Sequence, residues 1–365
     1  MLPQLLRVAF FHLIGISFLS AQSLRVATVN FWSGLDYRGA IMMGEYEPDS
    51  TRERRLEILI QEMKEAAPDI VALQEPNPVY HVASRLADEL NYDYVYQRTN
   101  GGVKLGGIGL PCNLNEGLVL LAKKELDLRL VDVWDLSKTF GVFGNTLSFH
   151  FEDQNIALVG SVVVGGIEIV LINTHMSSAV PDDSSSRSKL SSLLGERSAN
   201  AEQRESSFQR LQEEARKRGA ETEALLEGLG QLRGKPFVIL GDFNATCESP
   251  EIQLLVQKER LVDAARVRGL DLPTWDAEGN ANVRYSLQNT MNADVLDFGG
   301  PLGAWYDSLS RRIDYIFLSS TFSPADVGKV QLLLSRARDG LYASDHYGVM
   351  AEISLKSLER TSGRE

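Results

Sequence analysis

Apolar residues occur along the chain in short runs and in helical spacings, which predicts strands alternating with helices. Leu24–Asn30 (LRVATVN) and Pro68–Glu75 (PDIVALQE) are short, mostly apolar runs, typical of buried strands. Between them, Ser50–Ala67 repeats its apolar residues at helical spacing. Ser50 and Glu53 have the spacing of a capping box, so we expect this helix to begin there.

The middle of the chain is rich in predicted strands, and the remainder adds helices and two closing strands. YDYVYQ, GLVLLAK, LDLRLVDVW, NTLSFHF, NIALVGSVVV and IEIVLINTH predict strands, several of them in hairpins. Helices are predicted at Val79–Leu90, at Ala199–Leu232 and from Pro250 to about Gln257. The Ser-rich stretch PDDSSSRSKLSS predicts a mobile loop, and Gly269–Ser310 predicts long loops. RIDYIFLS and YGVMAEISL predict the strands that close the core.

Size and composition fit one large folded domain. The chain has 365 residues, of which 44% are hydrophobic and 24% charged, enough for a sizeable core. No repeat or linker divides residues 24–356, whereas the polar residues 357–365 predict a disordered tail. The net charge of −12 gives no sign of a basic nucleic-acid surface, although a metal or local positive charge could supply that contact. It also argues against unspecific adhesion to anionic membranes.

The first residues predict a secretory signal peptide. Arg7 precedes an apolar run from Val8 to Leu19, which small and polar residues follow. The run is short for a membrane span. We therefore expect a signal peptide over residues 1–23 and a secreted or periplasmic protein. An uncleaved anchor and an ordinary buried segment are the alternatives.

The chain has two cysteines, Cys112 and Cys247. Two are too few for a disulfide scaffold. In an oxidising compartment they could pair, but the sequence alone does not show that they meet. A disulfide and two free thiols are both open.

Asp242 and Asn244 stand together at the end of the apolar run in VILGDFNAT. Residues two apart in a strand share a face, so the carboxylate and the amide are expected to point the same way. Such a pair could hold a water or a metal with one arm and a phosphate oxygen with the other. Taken alone, GDFN is more typical of a plain turn that ends a strand.

Other predicted strands also carry polar residues at or near their ends. Glu75 closes DIVALQE and could be a strand end in water or a ligand of a hard cation, and His175 closes IVLINTH. Asp314 interrupts the apolar run RIDYIF, where burial is costly without a partner. A histidine is the natural partner, because a carboxylate fixes the imidazole tautomer and stabilises its charged form. SDH places His346 beside Asp345, just before the last predicted strand. None of these segments supplies a serine or cysteine nucleophile.

In this order, VNFW, ALQE, NTH, GDFN, RIDYIF and SDH resemble the endonuclease/exonuclease/phosphatase superfamily, which has the DNase I-like fold. The resemblance spans about Leu24 to Leu355. It implies an α/β fold, a four-layer sandwich of two mixed β-sheets flanked by helices. It also implies hydrolysis of phosphate esters with Mg²⁺, or with Mn²⁺ or Ca²⁺ in its place.

The resemblance also implies which residues bind the metal and the nucleophile. Glu75 would be the main metal ligand, Asn30 would support the metal and the phosphate, and Asp345 would lie near the metal. Asp242 and Asn244 would orient the attacking water and stabilise the phosphoryl oxygens. Asn244 would thereby also be a substrate-binding residue.

The remaining roles concern the histidines and one phosphate contact. By the resemblance, His346, oriented by Asp314, is the general base or a phosphate-stabilising imidazolium. His175 acts as the acid from the opposite side, paired with Glu116 in NEGLVLL. Some members of the superfamily carry an Arg or Tyr in the strand GNTLSFHF. Here Asn145 is the candidate substrate-binding residue, and that phosphate contact could also come from elsewhere.

These residues suit direct attack by water. A divalent ion neutralises phosphate charge, and general acid–base groups contribute about 10²- to 10⁴-fold each. No covalent intermediate is needed, in agreement with the absence of a Ser or Cys nucleophile among the strand-end segments.

The substrate is less determined than the chemistry. VNFW, the predicted export and the two-histidine site resemble the neutral sphingomyelinase-like phosphodiesterases. They predict a lipid-headgroup phosphodiester, with peripheral membrane contact through NGGVKLGGIGLPCNLN and LDFGGPLGAWYD, although both segments could equally cover the core. Trp275 is predicted to be a packing residue. No obligate protein partner is indicated.

Three alternatives stand beside the lipid substrate. They are a secreted DNase I-like nuclease, a phosphatase of soluble sugar or inositol phosphates, and a catalytically dead binding adaptor on the same fold. A nuclease is expected to show a cationic track, and Arg and Lys form no clear stripe along this chain. An adaptor is expected to have lost a site residue, whereas Glu75, Asp242, Asn244, Asp314 and His346 are all present.

Overall fold

Two six-stranded sheets form the centre of the computed structural model, which describes residues 23–35, 47–106, 108–110, 114–144, 146–150, 154–283, 295–296 and 300–362. The strands are β1 (Ser23–Asn30), β2 (Ile70–Gln74), β3 (Tyr92–Asn100), β4 (Val103–Leu105), β5 (Ile108–Leu110), β6 (Glu116–Lys123), β7 (Arg129–Asp135), β8 (Gly141–Phe143), β9 (Leu147–His150), β10 (Ile156–Val164), β11 (Ile167–His175), β12 (Phe237–Asp242), β13 (Val262–Asp263), β14 (Asp314–Leu318), β15 (Val327–Leu333) and β16 (Gly348–Ser354). The helices are α1 (Asp49–Ala66), α2 (Val79–Leu90), α3 (Ser184–Glu196), α4 (Ala201–Gly230), α5 (Pro250–Glu259), α6 (Ala264–Val267), α7 (Pro301–Asp307) and α8 (Lys356–Ser362).

Both large sheets are mixed. The first has the order β15-β16-β1-β2-β6-β3 and the second β13-β14-β12-β11-β10-β7. The pairs β1/β2 and β11/β12 are parallel, whereas every other pair in these two sheets is antiparallel. A third, small sheet has the order β5-β4-β9-β8.

Alternation along the strands builds four layers. In β2, Ile70 and Ala72 face the core between the sheets, and Val71 and Leu73 face outwards. Helices α1 and α2 cover the outer face of the first sheet, and α4 and α5 cover that of the second. The predicted fold class, a four-layer α/β sandwich, is confirmed.

A buried amide joins the two sheets next to the strand ends that carry the predicted site. Asn173 of β11 donates through Nδ2 to the carbonyl oxygens of Leu73 (2.9 Å) and Val119 (2.8 Å) in the first sheet. Its Oδ1 accepts from Nε2 of Gln74 at 2.7 Å. Because all three bonds are buried, they fix how the two sheets face each other.

The predicted capping box of the first helix and the predicted Ser-rich loop were wrong. Helix α1 begins at Asp49 after Pro48 and has no side-chain cap, so Ser50 lies inside the helix and the predicted capping box does not form. The Ser-rich stretch predicted as a loop is largely helix α3, because Asp183 caps it by accepting from the Ser186 amide at 2.8 Å. Leu190 of α3 is buried in a cluster with residues of α4 and α7, a contact that the polar composition did not reveal.

Elements near the C-terminus were also missed. Strand β15 adds an edge to the first sheet, and helix α7 lies within the range predicted as loops, with Leu302 buried. Helix α8 buries Leu358, so the predicted disordered tail is wrong as far as Ser362. The predicted signal peptide (residues 1–22 of it), Cys112 and Asn145 lie outside the described residues. Among the helices that the structure describes, none combines the length and apolar character that a membrane span requires.

Candidate active site

The ends of β1, β2 and β12 meet where the two sheets face each other. Parallel strands end at the same edge of a sheet, so Asn30 of β1 lies beside Glu75, the residue after β2. Nδ2 of Asn30 donates to Oε1 of Glu75 (2.9 Å) and to Oδ2 of Asp242 (3.0 Å), which ends β12 in the other sheet. One buried amide therefore connects carboxylates from both sheets.

His175 and Asn244 form the open side of this cluster. Nε2 of His175 lies 3.5 Å from Oε1 of Glu75 and 3.6 Å from Oδ2 of Asp242. Nδ2 of Asn244 lies 3.2 Å from the same ring nitrogen and donates to the Met176 carbonyl at 2.8 Å. The side chain of His175 is 26% exposed and that of Asp242 only 1%, so His175 lies on the solvent-accessible side of the cluster.

His346 completes the cluster from the loop before β16. Its Nδ1 is hydrogen-bonded to Oδ2 of Asp314 at 2.9 Å, and its Nε2 lies 3.7 Å from Oδ2 of Asp242. Burial opposes the charge on this ring, but the carboxylates of Asp314 and Asp242 outweigh it and raise the pKa of His346 to about 10. At neutral pH the ring is therefore an imidazolium.

Asp345 is buried next to this group. The Ser344 hydroxyl, which has one proton to donate, lies 3.2 Å from Oδ1 of Asp345 and 2.7 Å from the Asn30 carbonyl oxygen. Burial raises the pKa of Asp345 to about 7; His346 acts in the opposite direction, and the carboxylate of Glu75 adds to the increase. The pKa of Asp345 therefore responds to the opposing charges of His346 and Glu75.

Three residues around the cleft have left-handed backbones: Trp32 (φ 43°), Glu75 (φ 58°) and Asn244 (φ 50°). Each such conformation costs on the order of 1–3 kcal/mol and needs local support. The Trp32 amide donates to Oδ1 of Asn30 at 2.9 Å, and the Asn244 amide donates to Oδ1 of Asp242 at 2.8 Å. The strained turns are therefore held by the polar side chains of the site itself.

The donor set fits a hard divalent cation. Asp242, Asp314 and His346 are all buried, each offers a ligand atom, and these atoms lie within 4.8 Å of one another, so the group could hold a metal ion once the His346 ring has given up the proton that it carries without one. Oδ1 of Asp314 is buried and has no hydrogen-bond partner among the described residues. Glu75 brings a further carboxylate through the shared amide of Asn30. Carboxylate oxygens are the ligands that Mg²⁺, Ca²⁺ and Mn²⁺ prefer.

Comparison with known proteins agrees with this geometry. The family model described as "Endonuclease/Exonuclease/phosphatase family" matches residues 27–346. The chain belongs to this family. A search of curated protein sequences gave no match.

Solved structures of the family share the fold at low sequence identity. Truncated TDP2 of Caenorhabditis elegans has 19% identity and a TM-score of 0.52, covering 91% of this chain and 98% of its own. A mannosyl-6-phosphatase of Bacteroides thetaiotaomicron has 16% identity and a TM-score of 0.52, with coverages of 90% and 98%. An endonuclease/exonuclease/phosphatase of Bacteroides vulgatus has 15% identity and a TM-score of 0.54, with coverages of 91% and 99%. At these identities the likeness concerns the fold.

Most of the site residues that the sequence predicts meet in the cleft at the ends of β1, β2 and β12. They are Asn30, Glu75, His175, Asp242, Asn244, Asp314, Asp345 and His346. Glu116 is the first residue of β6, and its pairing with His175 stays a prediction, because the contacts described for His175 involve Glu75, Asp242 and Asn244. The role of Asn145 stays a prediction as well.

Trp275 is a neighbour of the site that the sequence did not reveal. Its ring stands edge-on to the imidazole of His346, with 5.1 Å between the ring centroids. Its Nε1 donates to the Asp307 carbonyl at 2.8 Å, which fixes the indole against His346. In the sequence, LPTWD only indicated a packing residue, because the contact joins positions 71 residues apart.

Gly241, just before Asp242, allows β12 to lie very close to β11. A Cβ on Gly241 would lie 2.1 Å from the Thr174 carbonyl oxygen of β11, the strand that carries His175. We expect Gly241→Ala to push β12 away from β11, lower the free energy of unfolding by about 1–3 kcal/mol and reduce activity. Urea denaturation measures the first effect. Gly219→Ala in α4 adds its methyl group to open space and is the control, expected to be neutral or slightly stabilising. Equal stability of both variants would contradict the close approach.

Proposed function

We propose that this chain is a divalent-metal-dependent phosphodiesterase in which water attacks phosphorus directly. The proposal rests on how close the charged groups of the site are. Nε2 of His175 lies 3.5 Å from the Glu75 carboxylate and 3.6 Å from that of Asp242, and Nε2 of His346 lies 3.7 Å from Asp242. We propose Mg²⁺ as the ion. It would be held by Glu75, with Asn30 and Asp345 beside it. When bound, it supplies the positive charge that neutralises the phosphate.

Side chains of the site orient the attacking water and transfer the protons. In the proposal, Asp242 and Asn244 orient the water, and the Asp242 carboxylate accepts its proton. The oxygen of the water forms the new bond to phosphorus while the bond to the leaving oxygen breaks. The imidazolium of His346, held by Asp314, stabilises the phosphoryl oxygens, a role that its charge favours over that of a base. His175, on the exposed side, gives the leaving oxygen its proton.

For the substrate we propose a lipid headgroup, because the small sheet carries an apolar outer face. Cross-strand pairs on this face are Val103 with Leu110, Leu105 with Ile108, and Leu105 with Leu147. Leu105 is 69% exposed and Ile108 84% exposed. Exposed apolar clusters of this kind mark contacts with membranes or partners. We call these five residues the apolar face.

The position of the apolar face and the net charge of the chain both favour a lipid surface as the partner of this face. Behind the apolar face, Nζ of Lys104 donates to the Leu114 carbonyl. The next residue, Asn115, donates its amide to Asn77, which donates to the Ser33 carbonyl; the Ser33 amide donates to Glu75. Hydrogen bonds therefore connect the small sheet, which carries the apolar face, to the segments that carry Ser33 and Glu75. With a net charge of −12, a second copy or an anionic bilayer would be repelled, whereas zwitterionic headgroups would not.

One assay tests the function against the nuclease and the binding adaptor together. The protein is incubated with Mg²⁺ and sphingomyelin vesicles, plasmid DNA or a soluble bis-aryl phosphodiester. We expect cleavage of the vesicles and of the aryl ester, both stopped by EDTA. Cleavage of DNA without the lipid would identify a nuclease, and no cleavage of any substrate would favour a binding adaptor.

Secretion or a periplasmic location, which we also propose, is tested by fractionating cells that express the full chain.

Disrupting the apolar face should separate lipid from soluble substrates. Each buried leucine or isoleucine side chain contributes about 1.5–3 kcal/mol to the transfer, so Leu105→Glu with Ile108→Glu should weaken binding to sphingomyelin vesicles at least about 100-fold. Hydrolysis of the aryl ester should stay unchanged. The matched control is Leu130→Glu on β7, which is also exposed but lies outside the small sheet. Vesicle co-sedimentation that is the same for both variants would contradict the lipid contact.

A further inference from the structure

Helix α4 carries a fully buried arginine that connects the two strand ends of the second sheet. Nη1 of Arg218 donates to the carbonyl oxygens of Ala179 (2.8 Å) and Asn244 (3.0 Å). Ala179 follows β11 and Asn244 follows β12, so one guanidinium joins the segments that carry His175 and Asn244. Its Nε donates to Oε1 of Glu251 on α5 at 3.2 Å.

The next turn of α4 holds the β11 segment a second time. Glu221 accepts from the Ser177 amide at 2.9 Å and from Nδ2 of Asn155 at 2.7 Å. Ser177 lies two residues after His175. The chain that leaves His175 is therefore held against α4 at two consecutive turns, through Arg218 and Glu221.

The Arg218–Glu251 pair is not arranged for stability alone. Nη2 of Arg218 and Oε2 of Glu251 are buried, and neither has a hydrogen-bond partner among the described residues. Buried charges with unused hydrogen-bonding atoms carry a desolvation cost that a hydrophobic pair would avoid. The bonds that Arg218 does make go to the carbonyls beside the cleft, so its evident effect is on the geometry of the site.

We propose that Arg218 is a positioning residue that sets the separation of His175 and Asn244. The backbone of Asn244 is left-handed, and its carbonyl is fixed by the guanidinium while its side-chain amide lies 3.2 Å from Nε2 of His175. A change at Arg218 therefore shifts the amide and the imidazole relative to each other. A lysine retains the charge, but its side chain is one atom shorter and ends in a single nitrogen, so it cannot place donors at the positions of both Nη1, which binds the two carbonyls, and Nε, which binds Glu251. The catalytic consequence rests on the proposed function, whereas the geometric one does not.

The test compares Arg218→Lys with Arg210→Lys, which lies on the same helix and pairs with the partly exposed Glu214. With the soluble aryl phosphodiester and Mg²⁺, we expect Arg218→Lys to lower kcat about 10- to 100-fold. The KM and the Mg²⁺ activation constant should change little. Arg210→Lys should resemble the wild type. Thermal unfolding of both variants establishes that the protein remains folded.

A second readout does not depend on turnover. The chain has five histidines, so ¹⁵N-labelled imidazoles can be resolved by NMR and His175 assigned with a His175→Gln variant. We expect the His175 resonances to move in Arg218→Lys and to stay in place in Arg210→Lys. Unmoved resonances together with a wild-type kcat would overturn the positioning role. Moved resonances in a protein that hydrolyses no phosphodiester would retain it and reject the proposed function instead.

Discussion

Glu75→Gln is expected to abolish metal-dependent turnover and to leave the protein folded. The substitution keeps the shape of the side chain and an oxygen that can accept from Nδ2 of Asn30, but it removes the charge that a divalent ion needs. Loss of several kcal/mol of charge stabilisation corresponds to at least about a thousandfold in kcat. The assay is hydrolysis of the aryl phosphodiester over a range of Mg²⁺ concentrations, with Mg²⁺ affinity measured by calorimetry.

The control for this prediction is Glu57→Gln, an exposed glutamate on α1. It makes the same chemical change away from the cleft and should behave as the wild type. If Glu75→Gln kept its rate and its Mg²⁺ affinity, Glu75 would not be a ligand. The buried group of Asp242, Asp314 and His346 would then be the remaining candidate for the metal.

His346→Ala is expected to lower kcat by several orders of magnitude. The variant loses the imidazolium near the phosphate, and it leaves Asp314 buried without its 2.9 Å partner. Asp314→Asn keeps the ring against Trp275 but removes the charge that supports the imidazolium, so a smaller loss is expected. A mild effect of His346→Ala on kcat would exclude the ring from the reaction.

His346→Ala should also change how the free energy of unfolding depends on pH. The pKa of His346 is about 10 in the folded chain and about 6.5 when unfolded, so its proton stabilises the fold fully below about pH 6.5. This stabilisation is lost as the pH rises through 10. In EDTA, the free energy of unfolding of the wild type should therefore fall between pH 7 and 10 more steeply than that of His346→Ala. Parallel curves in urea titrations would show that the ring is not held as an imidazolium.

Residues at strand ends were predictable because strand alternation and turn chemistry are local. GDFN indicated a strand end at Asp242 and a turn after it, and Asn244 lies in that turn rather than in the strand; the apolar surroundings of Asp314 required a partner, which is His346. The bond from Asn30 to Asp242 spans 212 residues and depends on how the two sheets face each other, which no local pattern encodes. Arg218 was missed for the same reason, since charged residues on a long helix usually face solvent. The Ser-rich helix α3 was missed for the same reason, because its few buried leucines pack against residues of α4 and α7 that are distant in the sequence.

The most direct test of the site is anomalous diffraction from crystals soaked in Mn²⁺. The structure joins the carboxylates of Glu75 and Asp242 through one amide, with both histidines within 4 Å of Asp242. The account predicts an anomalous peak in this cleft, bonded to the Glu75 carboxylate, and loss of that peak in Glu75→Gln. Peaks confined to acidic surface residues, with none in contact with Glu75, Asp242 or Asp345, would contradict it.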